Sequence, residues 1–289
     1  MSVQVNCISD RVRAFFPQVS KLPLFGPENI RTSHYGLFRM DTGAAFGPAV
    51  SSYFVPHTTD DVVALVEATE EVFGEAADVQ LGFRDGHYLS IQPSRQYRLD
   101  AIDRDSVWPR LIVTARYGES FRASVGMYRD VCRNLGVLRQ VHGTSVVLRH
   151  TSGLTGKMQE LIADFSQLRH GWEALSARIR AMTQIEVNTA RFLDTLYPQT
   201  PDATQSANTR HRHRTEAIIR RIMRERIELG VRNNSLQTVS AWEAYCGLSG
   251  FIQHDKTRKG RPGSFDRAIL AMEDPVMGRV ESLLLSMAA

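Results

Sequence analysis

The sequence predicts an α+β fold: an antiparallel β-meander flanked by helices, followed by a long heptad-patterned helix and a helical C-terminal part. Two observations support this. Apolar residues alternate at period two in short runs between residues 78 and 149, and they follow helical spacing from residue 154 onward. We therefore expect an irregular N-terminal segment at 1–50, an α+β core at 51–153, and a mainly helical region at 154–289 with a linker near 197–209.

The N-terminal segment is predicted to be irregular because proline and glycine are scattered throughout it. The first clear element follows at Thr58-Thr59-Asp60-Asp61, where hydroxyl and carboxylate side chains suit the positive end of a helix dipole. An apolar pattern continues from Val62 to Val72, and Gly74 follows it. This combination predicts a helix that ends near Gly74.

The strands are predicted from alternation and turn residues. An Asp-Gly pair separates Asp78–Phe83 from His87–Gln92, which is the strongest short-range signal for a hairpin. A second hairpin is predicted from Val107–Arg116 and Phe121–Val125. The period then changes to about 3.6, which predicts a helix from about Gly126, and residues 141–149 are expected to add a short strand.

A helix over 155–182 has the clearest helical pattern of the chain. Its apolar residues recur at alternating steps of three and four, the spacing of a coiled-coil seam. Two interpretations stay open: a seam between copies of the chain, or a core-facing helix inside a monomer. The seam residues are Met158, Leu161, Phe165, Leu168, Trp172, Leu175 and Ile179. Further helices are predicted at 210–229 and 236–253, with a helical tail at 266–287 that Pro275 interrupts.

Composition and motifs narrow the function classes. The chain has three cysteines with no paired spacing and no apolar run of transmembrane length, which favours a cytoplasmic protein without structural zinc. No phosphate-binding glycine loop, GxSxG or HExxH motif is present. We expect a protein that is not an enzyme and that uses no cofactor and no metal.

The basic residues point to an anionic partner. Only four of the 35 Lys and Arg residues are lysine, and arginine offers a planar fork that suits phosphate. Eight arginines stand against three glutamates between residues 205 and 235. The alternative is a solvated helix face with pairs such as Glu216–Arg220. The residues predicted to attract nucleic acid here are Arg210, Arg212, Arg214, Arg220, Arg221 and Arg224.

A second contact region is predicted beside the meander. Arg129, Arg133 and Asn134 follow the second hairpin, and Arg149 with His150 is expected to line the same groove. Aromatic side chains in this region could stack on bases or pack within the sheet. The candidates for stacking are Tyr117, Phe121 and Tyr128.

Several short phrases carry a resemblance to a known family. Val50-Ser51-Ser52-Tyr53 precedes the first predicted helix, Arg129-Asp130-Val131-Cys132-Arg133-Asn134 follows the hairpin, and Arg149-His150-Thr151 comes next. The last matching residues, in the same order as in the family, are Trp242, Tyr245 and His254. Over roughly residues 50–255 the chain resembles the phage/plasmid-like protein family of bacterial mobile elements. The helix, β-meander, helix order is also similar to the core of single-strand annealing proteins of the RecT and Red-beta kind, which implies oligomers that hold DNA beside a hairpin.

These observations together predict a nucleic-acid-binding protein of a phage, plasmid or other mobile element. The expected partner is single-stranded DNA, with duplex DNA as a further candidate, and the expected assembly is a homo-oligomer that promotes strand annealing without a nucleotide cofactor. Two alternatives stay open. One is a protein-interaction or inhibitor module that acts on a host factor, and the other is a metal-dependent nuclease that uses carboxylates such as Asp85, Asp103 and Asp105.

Overall fold

The chain divides into two compact units. Unit 1 comprises residues 1–97, 110–125 and 145–170, and unit 2 comprises 98–109, 126–144 and 171–289. The predicted boundary after residue 153 falls inside unit 1. The computed structural model describes residues 7–45, 49–75, 78–83, 86–92, 97–102, 105–116, 120–129, 134–136, 145–163, 166–228, 230–231, 235–256, 267, 271 and 274–287.

The N-terminal segment is regular, so the prediction of irregular structure before residue 50 is wrong. Helix α1 spans Ile8–Phe15, and strands β1 (Val19–Phe25) and β2 (Arg31–Arg39) form an antiparallel hairpin. The prolines fit this structure because a two-stranded sheet has only edge strands, where a missing N–H is tolerated, and Pro27 begins a short 3-10 turn. Leu37 packs in a small buried cluster with Val50 and Phe54.

Helix α2 begins and ends as predicted, over Thr59–Phe73. The Thr58 hydroxyl accepts a hydrogen bond from the Asp61 N–H at 3.0 Å, and the Asp61 carboxylate accepts one from the Thr58 N–H at 2.8 Å. These reciprocal bonds form a capping box, which satisfies two N–H groups that the helix itself leaves open. The apolar side, which includes Val62, Leu65 and Val66, is buried.

The largest sheet among the described residues has seven strands. The strands lie in the order β3-β4-β6-β7-β8, with β5 paired to β6 and β9 paired to β7. The two predicted hairpins and the predicted short strand are present, and the α+β class is confirmed. The strand bounds are β3 Asp78–Phe83, β4 Gly86–Gln92, β5 Leu99–Ile102, β6 Asp105–Arg116, β7 Phe121–Arg129, β8 Asn134–Gly136 and β9 Ser145–Leu148.

The helix predicted from Gly126 is wrong over the residues that the structure describes. Strand β7 continues through Arg129, and it pairs with β8 in a register that matches Met127 to Gly136. Residues from Ala123 to Met127 are all buried. A strand buried on both faces loses the alternation that identifies it, and the remaining apolar spacing then resembles a helix.

The heptad stripe is helical as predicted on both sides of residues 164–165, which lie outside the described part of the chain, over α3 (Leu154–Ala163) and α4 (Ser166–Gln184). Met158, Trp172, Leu175 and Ile179 are buried within the single chain, which favours the core interpretation of the stripe. The side chains of the remaining seam residues lie outside the described part of the chain. These are Leu161, Phe165 and Leu168.

The C-terminal region is helical, as predicted, with shorter connections. Helix α6 begins at Gln205, so the predicted linker is reduced to residues 197–204. Helix α8 begins at Pro275, where the missing N–H of proline is harmless in the first turn, and Asp274 caps it. The remaining elements are β10 Glu186–Asn188, α5 Thr189–Leu196, α6 Gln205–Glu228, β11 Thr238–Ser240, α7 Ala241–Gly250, a π-helical turn Phe251–Asp255 and α8 Pro275–Ser286.

Helix α7 is the central helix of unit 2. All ten of its residues are buried, and its Trp242 and Tyr245 rings stack with centroids 5.9 Å apart. It crosses α6 closely at Gly247, where an added Cβ would lie 2.2 Å from Cγ1 of Ile222 and 3.0 Å from its Cα. The absence of a side chain at Gly247 therefore allows the two helices to approach.

The crossing predicts opposite effects for two glycine substitutions. G247A should destabilise the protein by about 1–3 kcal/mol, because the new methyl group overlaps Ile222. G156A in α3 should be neutral or stabilise it by up to about 1 kcal/mol, since a Cβ there meets nothing within 4 Å. Urea unfolding of both variants measures the difference. Equal stabilities would contradict the close approach of α6 and α7.

Candidate nucleic-acid interface

Arg129 lies in the interior of unit 2, at the end of β7. Its side chain is only 3% exposed, and its Nε donates to both oxygens of Asp105 at 2.6 and 2.8 Å. Its Nη1 donates to Oε2 of Glu225 at 2.6 Å. A phosphate cannot reach a guanidinium buried between two carboxylates, so the prediction that Arg129 contacts nucleic acid is corrected to a structural role.

Trp242 completes this group, which we call the buried arginine cluster (Asp105, Arg129, Glu225 and Trp242). The indole Nε1 of Trp242 donates to Oδ2 of Asp105 at 2.8 Å, and Cζ of Arg129 lies 5.9 Å from the centroid of the indole ring. The four residues belong to β6, β7, α6 and α7. The cluster therefore connects two strands and two helices through buried polar contacts.

The cluster has one cation and two carboxylates, so one negative charge has no counterion within it. The effect is seen in the pKa of Glu225. Burial raises the pKa of Glu225 from 4.5 to about 7, Arg129 opposes that rise, and the charge of Asp105 adds to it. Among the described residues, no group donates a hydrogen bond to Oε1 of Glu225, as expected for a carboxyl that takes up a proton near neutral pH. In the protonated state, Arg129 and Asp105 form a neutral pair.

A second buried ion pair fixes the C-terminal half of α6 to α7. Nη1 of Arg226 lies 3.0 Å from Oε2 of Glu243, and the same carboxylate oxygen accepts the Ser240 N–H at 2.7 Å in the capping box of α7. Arg221 pairs with Asp255 through two hydrogen bonds of 2.7 and 3.1 Å, and its side chain is 11% exposed. Arg221 is therefore largely committed to a contact within the protein.

The other arginines predicted on α6 are exposed, and we call them the exposed arginine face (Arg210, Arg212, Arg214, Arg220 and Arg224). Glu216 lies between Arg212 and Arg220 at 3.8 and 3.9 Å, and Glu228 lies 2.9 Å from Arg224. No carboxylate of the described chain forms an ion pair with Arg210 or Arg214. Exposed i,i+4 pairs contribute less than about 1 kcal/mol, so this face keeps its attraction for anions.

The two candidates next to β9 differ in accessibility. Arg149 is exposed on unit 1. His150 is buried, its Nδ1–H donates to the Val55 carbonyl at 2.8 Å, and its ring stacks on Phe54 at 4.6 Å. Burial lowers the pKa of His150, which keeps the ring neutral. The prediction that His150 lines a binding groove is therefore corrected to a packing role.

Of the three predicted stacking platforms, the structure describes the side chain of Phe121. Phe121 is fully buried and packs 5.7 Å from the His57 ring, so its role is internal packing. Tyr117, Arg133 and the side chains of Tyr128 and Asn134 lie outside the described residues.

Three residues of the buried arginine cluster were not predicted as nucleic-acid-binding residues, and Asp105 was named only as a carboxylate of the nuclease alternative. The contacts within the cluster join residues that are 24 (Asp105), 96 (Glu225) and 137 (Trp242) positions apart in the sequence. A local sequence pattern does not predict contacts over such separations. The one available signal was indirect, because Arg129 and Trp242 both belong to the phrases that carry the family resemblance.

A comparison with protein families matches residues 48–272 to the Domain of unknown function (DUF932). The chain belongs to this family. No curated protein and no solved structure matches it. The DUF932 region runs from before α2 to beyond α7, and it includes the whole buried arginine cluster and the exposed arginine face.

Two searches of the described residues concern metals and membranes. Within that part of the chain, no group of three or more His, Cys, Asp or Glu side chains is placed to hold a metal ion. No described helix has both the length and the apolar character needed to cross a membrane.

The buried arginine cluster predicts unequal effects of removing its members. R129M should destabilise the protein by about 3–5 kcal/mol, because two buried carboxylates lose their cation. E225Q should cost less than about 1.5 kcal/mol, since the amide oxygen still accepts from Arg129 and the excess negative charge disappears. Urea unfolding at neutral pH tests this order, and a larger loss for E225Q than for R129M would contradict it.

The raised pKa of Glu225 also predicts a dependence on pH. The folded protein holds this proton up to about pH 7 and the unfolded chain releases it near 4.5, so the contribution of Glu225 to stability falls as the pH rises through that window. The unfolding free energy of the wild type minus that of E225Q should decline by up to about 3 kcal/mol across the window and then stay constant. A difference that rises with pH would contradict the assignment.

Proposed function

We propose that this DUF932 protein binds nucleic acid, single-stranded DNA foremost, through the exposed arginine face of α6. The observation that carries the proposal is the exposure of five arginines along one helix, to which Glu216 and Glu228 alone are paired among the described carboxylates. Surface arginines without strong internal partners are suited to phosphate, because each guanidinium presents a planar set of donors.

The positions of these arginines suit an extended polyanion. From Arg210 to Arg224 the helix rises about 21 Å, and Arg210, Arg214, Arg220 and Arg224 fall within about a third of its circumference. Arg212 projects from a different side of the helix. The adjacent side carries Ile218, Ile222 and Glu225, which are buried. The protein interior therefore fixes the helix with one row of arginines directed outward.

The identity of the nucleic acid comes from resemblance. Similarity to single-strand annealing proteins favours single-stranded DNA and annealing without a nucleotide cofactor, and similarity to the phage/plasmid-like family favours a role on a mobile element. Annealing requires a homo-oligomer in this proposal. The described residues of the heptad stripe are buried inside the chain, so the contact between copies would use another surface.

Removing part of the exposed arginine face tests this function. R210Q/R220Q/R224Q should weaken binding to a fluorescein-labelled oligo(dT) and reduce the salt slope by about 2, because three contacts with a single strand contribute about 0.7 each. Fluorescence anisotropy between about 50 and 200 mM salt measures both quantities.

The matched control is R122Q/R180Q/R191Q, which removes three exposed arginines outside α6 and leaves the net charge equal to that of the test variant. The control should bind oligo(dT) like the wild type. Equal losses in the two variants, or an affinity that does not change with salt, would contradict binding by the exposed arginine face.

A further inference from the structure

A cavity of about 480 Å³ opens beside the N-terminal half of α6, entirely within unit 2. It lies among the end of α5, helix α6, the π-helical turn and helix α8. We call it the cationic pocket, and its polar and aromatic lining consists of Tyr197, His211, Arg214, Phe251, Lys256 and Arg279. Its volume is within the range of about 300–1,000 Å³ that is usual for small-molecule sites.

The pocket holds positive charge that the described chain does not neutralise. Lys256 is paired with Asp274 at 2.5 Å, and this carboxylate also caps α8. Within the part of the chain that the structure describes, neither Arg214 nor Arg279 forms an ion pair with a carboxylate. Two guanidinium groups that have no carboxylate partner among the described residues thus line one concave site from different helices.

The geometry of the wall is fixed by contacts around Tyr197. Nε2–H of His211 donates to the Tyr197 carbonyl at 2.7 Å, and the Arg214 guanidinium lies 4.9 Å from the centroid of the Tyr197 ring. Burial raises the pKa of Tyr197, so its hydroxyl stays protonated at neutral pH. Phe251, together with Leu196 and Val276, adds apolar surface.

We propose that the cationic pocket binds the phosphomonoester of a nucleotide, either at the end of a DNA strand or on a free nucleoside monophosphate. A phosphomonoester carries a charge of about −1.5 to −2 near neutral pH, which two unpaired arginines match better than they match a singly charged internal phosphodiester. The aromatic and apolar wall suits the base or sugar that follows the phosphate.

A neighbouring cavity favours the end of a DNA strand, rather than a free nucleotide, as the ligand of the cationic pocket. It has a volume of about 240 Å³, it shares Pro198, His211 and Arg214 with the cationic pocket, and it also includes Arg210. A chain of nucleotides could therefore continue from the pocket toward the exposed arginine face. In this form the inference rests on the proposed function, and it adds recognition of the strand end.

The test compares ligands that differ only in the phosphate. Calorimetry with dTMP and with thymidine examines the free nucleotide, and anisotropy competition between 5′-phosphorylated and 5′-hydroxyl oligo(dT) examines the strand end. We expect the phosphorylated member of at least one pair to bind about tenfold more tightly. A preference only within the oligonucleotides identifies the strand end, and one only for dTMP identifies a free nucleotide. No preference in either pair overturns the proposal.

Two variants separate this pocket from the proposed DNA-binding face. R279Q should remove the phosphate preference and leave the affinity for 5′-hydroxyl oligo(dT) unchanged, because Arg279 lies on α8. R220Q/R224Q should weaken binding of both oligonucleotides equally and preserve the preference. R180Q, an exposed substitution in α4, serves as the matched control for R279Q. A phosphate preference that persists in R279Q overturns the pocket assignment, whatever happens to binding by the exposed arginine face.

Discussion

The structure of unit 2 depends on the compensation of one buried charge. A guanidinium without counterions in a protein interior costs several kcal/mol, so Arg129 can be buried only where carboxylates reach it. Asp105 on β6 and Glu225 on α6 supply these carboxylates. Trp242 on α7 donates a further hydrogen bond to Asp105. Any packing that separates these elements leaves an uncompensated charge. The cluster thereby selects one arrangement of the strands and helices, even where an apolar core of the same volume could be as stable.

The same constraint determines how α6 is presented. Ile222 and Arg226 contact α7, and Glu225 belongs to the cluster, so the rotation of the helix about its own axis is fixed. The exposed arginine face is therefore preorganised by interactions on the buried side of the helix. Side chains held on a rigid element lose less conformational freedom on binding than side chains on a loop.

The sequence predicted those parts of the fold that local chemistry determines. The start of α2 at Thr58, the Asp-Gly hairpin and helix α6 were predicted because their signals lie within a few residues of each other. The N-terminal hairpin was missed because prolines in a two-stranded sheet resemble the prolines of a loop, and the end of β7 was missed because burial on both faces removes alternation. The structural role of Arg129 could not be predicted from the sequence, because its partners lie 24 and 96 positions away along the chain.

Arginine content alone could not separate binding residues from structural ones, because the same side chain serves both purposes. The distinction depends on which carboxylate each guanidinium reaches. Arg129 and Arg226 pair with buried carboxylates that are distant in sequence, whereas Arg224 pairs with an exposed carboxylate one turn away. Arg214 and Arg279 pair with none in the described chain, and both line the cationic pocket. Within the described part of unit 2, the pocket and the adjacent half of α6 therefore hold guanidinium groups without a carboxylate partner, Arg210, Arg214 and Arg279.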